Sequence, residues 1–207
     1  MKLVAIDTSG PVIGVALWCD GDVRVRTERV ARGAEARLVP WIQELCAEMG
    51  VALPALDGLA VGVGPGAFTG VRVGMATAAG LAMSLDRPLW GCDSLSPRGA
   101  RVGPRSLVLL DARKGRVYAA AFDGTMTHPP ADVTADVAVR WLAAPFLATG
   151  EGALVYADIV RAAGGTLADD ADDPAVDALA RLGAAALGRG QGKPPNEVVP
   201  TYIRGFS

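Results

Sequence analysis

Three short stretches carry side chains that could take part in chemistry. The first is Asp7-Thr8-Ser9, set between apolar runs at 2–6 and 12–18. A carboxylate at the end of a buried strand, beside two hydroxyls, can orient a metal-bound water, and the neighbouring N–H groups can receive a phosphate tail. The same residues equally make a hairpin turn in which Asp and Ser bond their own backbone. The second stretch is Gly64-Pro65-Gly66-Ala67-Phe68-Thr69-Gly70-Val71-Arg72-Val73-Gly74. Its glycines could form a nest for an anion, but it is neither a GxGxxG nor a P-loop, having no Lys-Ser/Thr at its end. A strained turn that brings a helix tightly under a sheet explains it as well. The third is the polar turn Asp111-Ala112-Arg113-Lys114-Gly115. Of these, Asp7, Thr8 and Ser9 are the candidates for a phosphate-handling group, active or vestigial, while the 111–115 turn reads as a hairpin connection.

A single histidine in 207 residues removes many enzyme classes at once. The chain cannot build a His–His metal pair or a two-histidine catalytic site. His128 precedes Pro129 and Pro130 in a turn-like stretch, so an exposed loop position is expected for it. Cys19, Cys46 and Cys92 are odd in number and widely spaced, which suggests neither a disulfide framework nor a zinc knuckle and suits a reducing cytoplasm. Twenty Lys and Arg oppose 22 Asp and Glu, for a net charge of −2. A chain that grips nucleic acid alone shows a basic excess, because phosphate neutralisation supplies most of the affinity, so direct binding is disfavoured. The run before Asp7 is too short for a signal-peptide core, and no stretch reads as long and apolar enough to span a bilayer.

These residues need elements to hold them. Runs at 2–6, 12–18 and 23–30 read as three consecutive antiparallel strands. Apolar residues at spacings of three and four make 34–49 an amphipathic helix. A strand at 59–63 leads through the glycine loop to a helix at 71–85, followed by a strand near 88–91. The Pro/Gly-containing stretch 94–105 is the expected seam. Beyond it, strands at 107–110 and 116–122 form a hairpin, 136–144 reads as helical, 146–149 as a strand and 153–163 as a helix stopped by Gly164-Gly165. Asp172, Asp173 and Pro174 open a final helix to about 187, and 191–207 reads as an extended tail. Each half begins with its own hairpin and needs helices to cover its sheet. The expectation is an α/β chain of two lobes, 1–98 with 174–190 and 106–166.

Four strings resemble, in order and spacing, the motifs of the TsaB (YeaZ) family: Ala5-Ile6-Asp7-Thr8-Ser9, the 64–74 loop, Leu110 through Tyr118, and Pro200-Thr201-Tyr202-Ile203-Arg204. The positions that carry the likeness include Gly64, Pro65, Gly66, Phe68, Thr69, Gly70, Arg72, Arg113, Tyr118, Tyr202 and Arg204. The resemblance implies a two-lobed actin-like (ASKHA, ribonuclease H-like) fold with a mixed sheet and flanking helices in each lobe, historically labelled a glycoprotease or M22 peptidase fold. It also implies a non-catalytic subunit that binds TsaD, with TsaE, for N6-threonylcarbamoyladenosine formation at adenosine 37 of tRNAs reading ANN codons. A homodimer in the absence of TsaD, indirect contact with tRNA, no membrane, and ATP and metal held by partner subunits rather than by this chain belong to the same implication. The catalytic paralogue carries an HxxxH metal pair where this chain has Gly91-Cys92-Asp93-Ser94-Leu95-Ser96, so catalysis does not carry over. Many family members have a His near the position of Ala34, a departure that leaves that position without an assigned role. The competing readings are an actin-like small nucleotide-binding ATPase built on Asp7, Thr8 and Asp111, and a peptidase, for which no Ser–His pairing is evident.

The two helices also suggest an interface. Leu38, Trp41, Ile42, Leu45 and Met49 form a large apolar stripe, and Val71, Gly74, Met75, Ala78 and Ala82 line the second helix with mostly small residues. Small opposite large permits close helix contact, so two such pairs could make a four-helix interface, as the resemblance also implies. The alternative is that the stripe packs on the chain's own sheet.

Overall fold

The computed structural model describes residues 1–203. Its first half is a five-stranded sheet of β1 (Lys2–Asp7), β2 (Val12–Cys19), β3 (Asp22–Arg29), β4 (Gly58–Gly62) and β5 (Leu89–Cys92), in the order β3-β2-β1-β4-β5. The first three strands are antiparallel; β4 and β5 join in parallel, each reached through a helix. The helices are α1 (Glu35–Glu48) and α2 (Phe68–Leu85).

The central strand shows why its sequence is apolar throughout. Val4 and Ile6 face α1 and α2 in a core with Leu38, Ile42, Leu45 and Val71, while Leu3 and Ala5 face the opposite way against α7 (Val176–Gly188). Both faces are buried, so the polar half of the usual strand alternation is missing. The second face is built small, from Ala5, Ala16 and Ala60, which lets Leu179 and Ala180 of α7 approach closely.

The second half repeats this plan. The strands β6 (Arg105–Arg113), β7 (Arg116–Asp123), β8 (Thr125–Val133), β9 (Phe146–Thr149) and β10 (Gly165–Leu167) lie in the order β10-β9-β6-β7-β8. Numbered from the start of each half, both sheets run three-two-one-four-five, with three antiparallel strands followed by two parallel ones. This is the two-lobed, actin-like arrangement, and the faint echo between the halves of the sequence is a full structural repeat. The helices α4 (Ala135–Ala138), α5 (Glu151–Val155) and α6 (Ala157–Ala162) cover one face of the second sheet, and α3 (Ser96–Val102) covers part of the other.

Several local expectations need correction. The seam at 94–105 contains α3. His128 is in β8, half-buried and stacked on Trp141 at 4.8 Å between ring centroids, not in an exposed loop. Pro129 and Pro130 fall where the register slips against Ala120, on an edge strand whose missing N–H groups cost little. The helix expected over 136–144 is a single turn, Ala135–Ala138, after which Arg140 and Trp141 donate to Val137 O and Ala138 O in tighter turns. The helix expected over 153–163 is two short ones that meet at Tyr156. Finally, α2 is long and apolar enough by composition to cross a bilayer, contrary to expectation; here Val71, Gly74, Met75, Ala78 and Ala82 bury one of its faces on the first sheet.

The covering of the first sheet by α7 gives a direct test. Leu179→Ala removes a fully buried side chain from the small-residue face. A loss of about 2–5 kcal/mol in urea-unfolding free energy is expected.

Candidate functional site

The first candidate group converges at the seam. Asp7 ends β1, and its carboxylate is completely buried. Oδ1 accepts the backbone N–H of Ser9 at 2.7 Å and the Ser9 hydroxyl at 2.6 Å. Oδ2 accepts Nη1 of Arg98 at 3.3 Å. Both oxygens are thus engaged by the chain's own donors.

Arg98 was not among the sequence candidates, because an Arg in a Ser-Pro-Arg-Gly-Ala-Arg run reads as an ordinary surface residue. The structure carries it inward on α3. The Asp93 carboxylate holds the turn that leads into that helix, accepting the N–H of Leu95 at 3.0 Å, the N–H of Ser96 at 2.8 Å and the Ser96 hydroxyl. The guanidinium then lies between β1 and the second lobe, only 1% exposed, and donates also to the Ser94 carbonyl. Its Nε has no hydrogen-bond partner among the described residues.

The second lobe contributes Glu151, also missed in the sequence, at the start of α5. Its Oε2 is shut off from solvent and likewise has no hydrogen-bond partner among the described residues. It lies across the seam from Arg98: a Cβ on Gly10 would sit 3.5 Å from Glu151 Oε2 and 3.7 Å from Arg98 Nη2. Burial pushes the Glu151 carboxyl above its ordinary value, and the nearby Arg98 cation only partly opposes this. Asp111 lies beside Glu151, whose carboxyl its backbone N–H contacts. Its carboxylate turns onto its own hairpin, accepting the Arg113 N–H at 2.9 Å and pairing with Arg113 Nη1 at 3.2 Å. Among the described residues no three His, Cys, Asp or Glu side chains gather as a metal site.

The glycine loop packs over Thr8 and Ser9 and is not left open as a cradle. Ala67 N–H donates to Ser9 O at 2.7 Å, and the Thr8 hydroxyl donates to Gly70 O at 2.6 Å. A Cβ on Gly70 would lie 2.1 Å from the Thr8 carbonyl oxygen, and one on Gly74 2.3 Å from the Thr8 hydroxyl. Gly70 and Gly74 thus make room for the close approach of α2 to β1.

The expected interface stripe is corrected by the same packing. Leu38, Ile42, Leu45, Val71, Met75, Ala78 and Ala82 are buried in the first lobe, and Trp41 and Met49 lean on that core. Gly74 faces Thr8 inside the chain, where a larger side chain would disrupt the fold and not merely exclude a partner. The outer row of α2 is a different set: Phe68, Arg72, Ala76, Gly80 and Met83 are exposed at helical spacing, with Val39 of α1 also exposed. Of the remaining motif positions, Gly64, Pro65, Gly66 and Thr69 lie in the loop and the first turn of α2, and Arg113 is at the β6–β7 turn. Tyr118 lies on the α3-facing side of the second sheet. Tyr202 accepts Arg72 Nε at 2.9 Å. Arg204 lies outside the described residues.

Comparison with known proteins gives a consistent set of matches. A family model described as "TsaD: tRNA N6-adenosine threonylcarbamoyltransferase" matches residues 25–146. The tRNA threonylcarbamoyladenosine biosynthesis protein TsaB of Escherichia coli is 39% identical over 127 residues, covering 59% of this chain and 55% of the relative. Its Bacillus subtilis counterpart is 33% identical over 122 residues, with 57% and 53% covered. The matches thus span about half the length of these two curated relatives. The solved structure of YeaZ from Pseudomonas aeruginosa superposes with a TM-score of 0.84 at 32% identity, covering 97% of this chain and 99% of that one.

The seam yields two tests. Arg98→Ala leaves the Asp7 charge buried without its partner and should cost about 3–5 kcal/mol of unfolding free energy, whereas the double variant Asp7→Asn/Arg98→Met should recover much of that loss. For Glu151 the sign follows from its raised value. The unfolded carboxyl loses its proton near its ordinary 4.5 and the folded one only at higher pH, so the folded state is weakened as pH rises through that window. Glu151→Gln should therefore melt above the unsubstituted protein at pH 7 to 8, with the gap closing as pH falls toward about 4.

Proposed function

We propose, from the premise that the chain belongs to the TsaB (YeaZ) family, that it is the non-catalytic subunit of a tRNA threonylcarbamoyladenosine-forming assembly. In this reading it docks on a TsaD-type transferase, with TsaE, and supports modification of adenosine 37 in tRNAs reading ANN codons. It works in the cytoplasm, touches tRNA only through its partners, and forms a homodimer when TsaD is absent. ATP and metal are held by the partners.

The observation that carries the non-catalytic part is the state of Asp7. A carboxylate at this strand end could hold a metal–phosphate group only with free lone pairs directed into an open cleft. Here Ser9 and Arg98 engage both oxygens, and the Arg98 side chain lies in the seam. Docking is supported by the outer face of α2. Ala76 and Gly80 leave the backbone accessible between Phe68, 43% exposed, and Met83, 67% exposed. Small residues flanked by large apolar ones allow a partner helix to approach closely.

The test uses Gly80, where an added Cβ meets nothing within 4 Å, so a larger residue should not disturb the fold. Gly80→Leu and Met83→Arg should each weaken binding to the TsaD-type partner by about thirtyfold or more in calorimetry, the scale of a hot-spot residue. They should also lower the homodimer fraction in ultracentrifugation, with no loss of melting temperature, since Leu favours helix over Gly at an internal position of α2. Unaltered affinity in both variants would reject this docking face. Magnesium-dependent ATP hydrolysis by the pure chain, lost in Asp7→Asn, would favour the ATPase reading instead.

A further inference from the structure

The segment after α7 doubles back along the first lobe. Lys193 and Leu89 exchange backbone hydrogen bonds at 2.9 Å each way, on the outer side of β5. Val198 then packs against the core under α1 and α2, and its Cγ1 would lie 2.9 Å from a Cβ on Gly91. Thr201 N–H donates to Val63 O at 2.8 Å, just where β4 leaves the sheet, and Thr201 O lies 3.0 Å from the Cβ position of Gly64. Tyr202 completes the path. Arg72 Nε donates to its hydroxyl, its ring lies 5.5 Å from that of Phe68, and Arg72 Cζ stands 3.9 Å over the Phe68 ring.

The glycine loop is therefore held from two sides. Thr8 and Ser9 hold its inner side, through Gly70 O and Ala67 N–H. Thr201 and Tyr202 hold its outer side and the first turn of α2. The two grips differ in kind: Thr8 and Ser9 are buried, whereas Tyr202 is 39% exposed and its hydrogen bond from Arg72 lies at the surface. Segments held by a few exposed hydrogen bonds open at a fraction of the global unfolding free energy.

We propose that residues 193–202 are a releasable latch on the glycine loop and the first turn of α2. When engaged, the latch fixes Phe68 and Arg72 at one end of the outer α2 face; when released, it loosens them. The latch stands on the contacts above, while its consequence for partner binding rests on the docking reading of that face. A partner that uses the outer face meets a preorganised helix start only in the engaged state, so the segment sets part of its affinity.

Hydrogen–deuterium exchange on the full chain tests the latch without any partner. Thr201→Pro removes the N–H given to Val63, and Tyr202→Ala removes the contacts to Arg72 and Phe68. Each should speed exchange of the amides in 64–72 by about tenfold, the scale of one net hydrogen bond, with β6 and β7 unchanged. Unchanged exchange at 64–72 in both variants would overturn the latch. Calorimetry with the TsaD-type partner reads the second half: Tyr202→Ala should weaken binding about three- to tenfold. Faster exchange with unaltered affinity would overturn the control of docking. Gly80→Leu separates the two ideas, since it should weaken docking about thirtyfold or more with exchange at 64–72 unchanged; unaltered affinity in both Gly80→Leu and Met83→Arg rejects the docking face and leaves the exchange result to decide the latch.

Discussion

A buried ion pair joins the two halves of this molecule at their seam. Asp7 and Arg98 sit 3.3 Å apart with essentially no exposure on either side chain. Two charges removed from water are tolerable only when the pair is close and the remaining lone pairs and N–H groups find partners. That demand organises the neighbourhood. Ser9 must bend back onto Asp7, the Ser94 carbonyl must face the guanidinium, and Asp93 must start α3 at the point that aims Arg98 inward. The demand is not fully met, because Arg98 Nε and Glu151 Oε2 lack hydrogen-bond partners among the described residues. Burial answers the second of these by favouring the neutral carboxyl.

The repeat of strand order in the two halves gives each lobe a central strand whose end points toward the seam, carrying Asp7 in one and Asp111 in the other. The Asp7 side chain is fully buried and that of Asp111 is 12% exposed. Asp7 is tied to Ser9 and Arg98, and Asp111 to the backbone and side chain of Arg113. Freeing Asp7 for a ligand would mean breaking a buried pair and finding new partners for a guanidinium with 1% exposure. The seam is thus built as a joint between lobes.

How much of this the sequence disclosed follows from the range of the interactions involved. The strand–turn–strand opening and the amphipathic α1 were legible because local period and turn chemistry determine them. The seam was legible only on one side. Asp7, Thr8 and Ser9 stand out as a polar turn between apolar runs, whereas Arg98 and Glu151 reach them from 91 residues away and from the other lobe. No local pattern marks an Arg as buried; a faint signal for Glu151 is its place between Gly150 and Gly152, both pressed against the Leu109 carbonyl. β8 was missed for a related reason. Two adjacent prolines argue against a strand, and only the edge position and the slip opposite Ala120 make room for them.

The two faces of α2 show where reading an interface from apolar content goes astray. Val71, Gly74, Met75, Ala78 and Ala82 are the most regular apolar stripe on the helix, and that regularity is itself the mark of packing on the chain's own sheet. What remains exposed is the less conspicuous outer row, where Phe68 and Met83 flank Ala76 and Gly80. A helix that is apolar around most of its circumference has two neighbours to satisfy. The inner stripe already fills its core, while on the outer row Phe68 meets Tyr202 and Arg72 and Met83 stays 67% exposed.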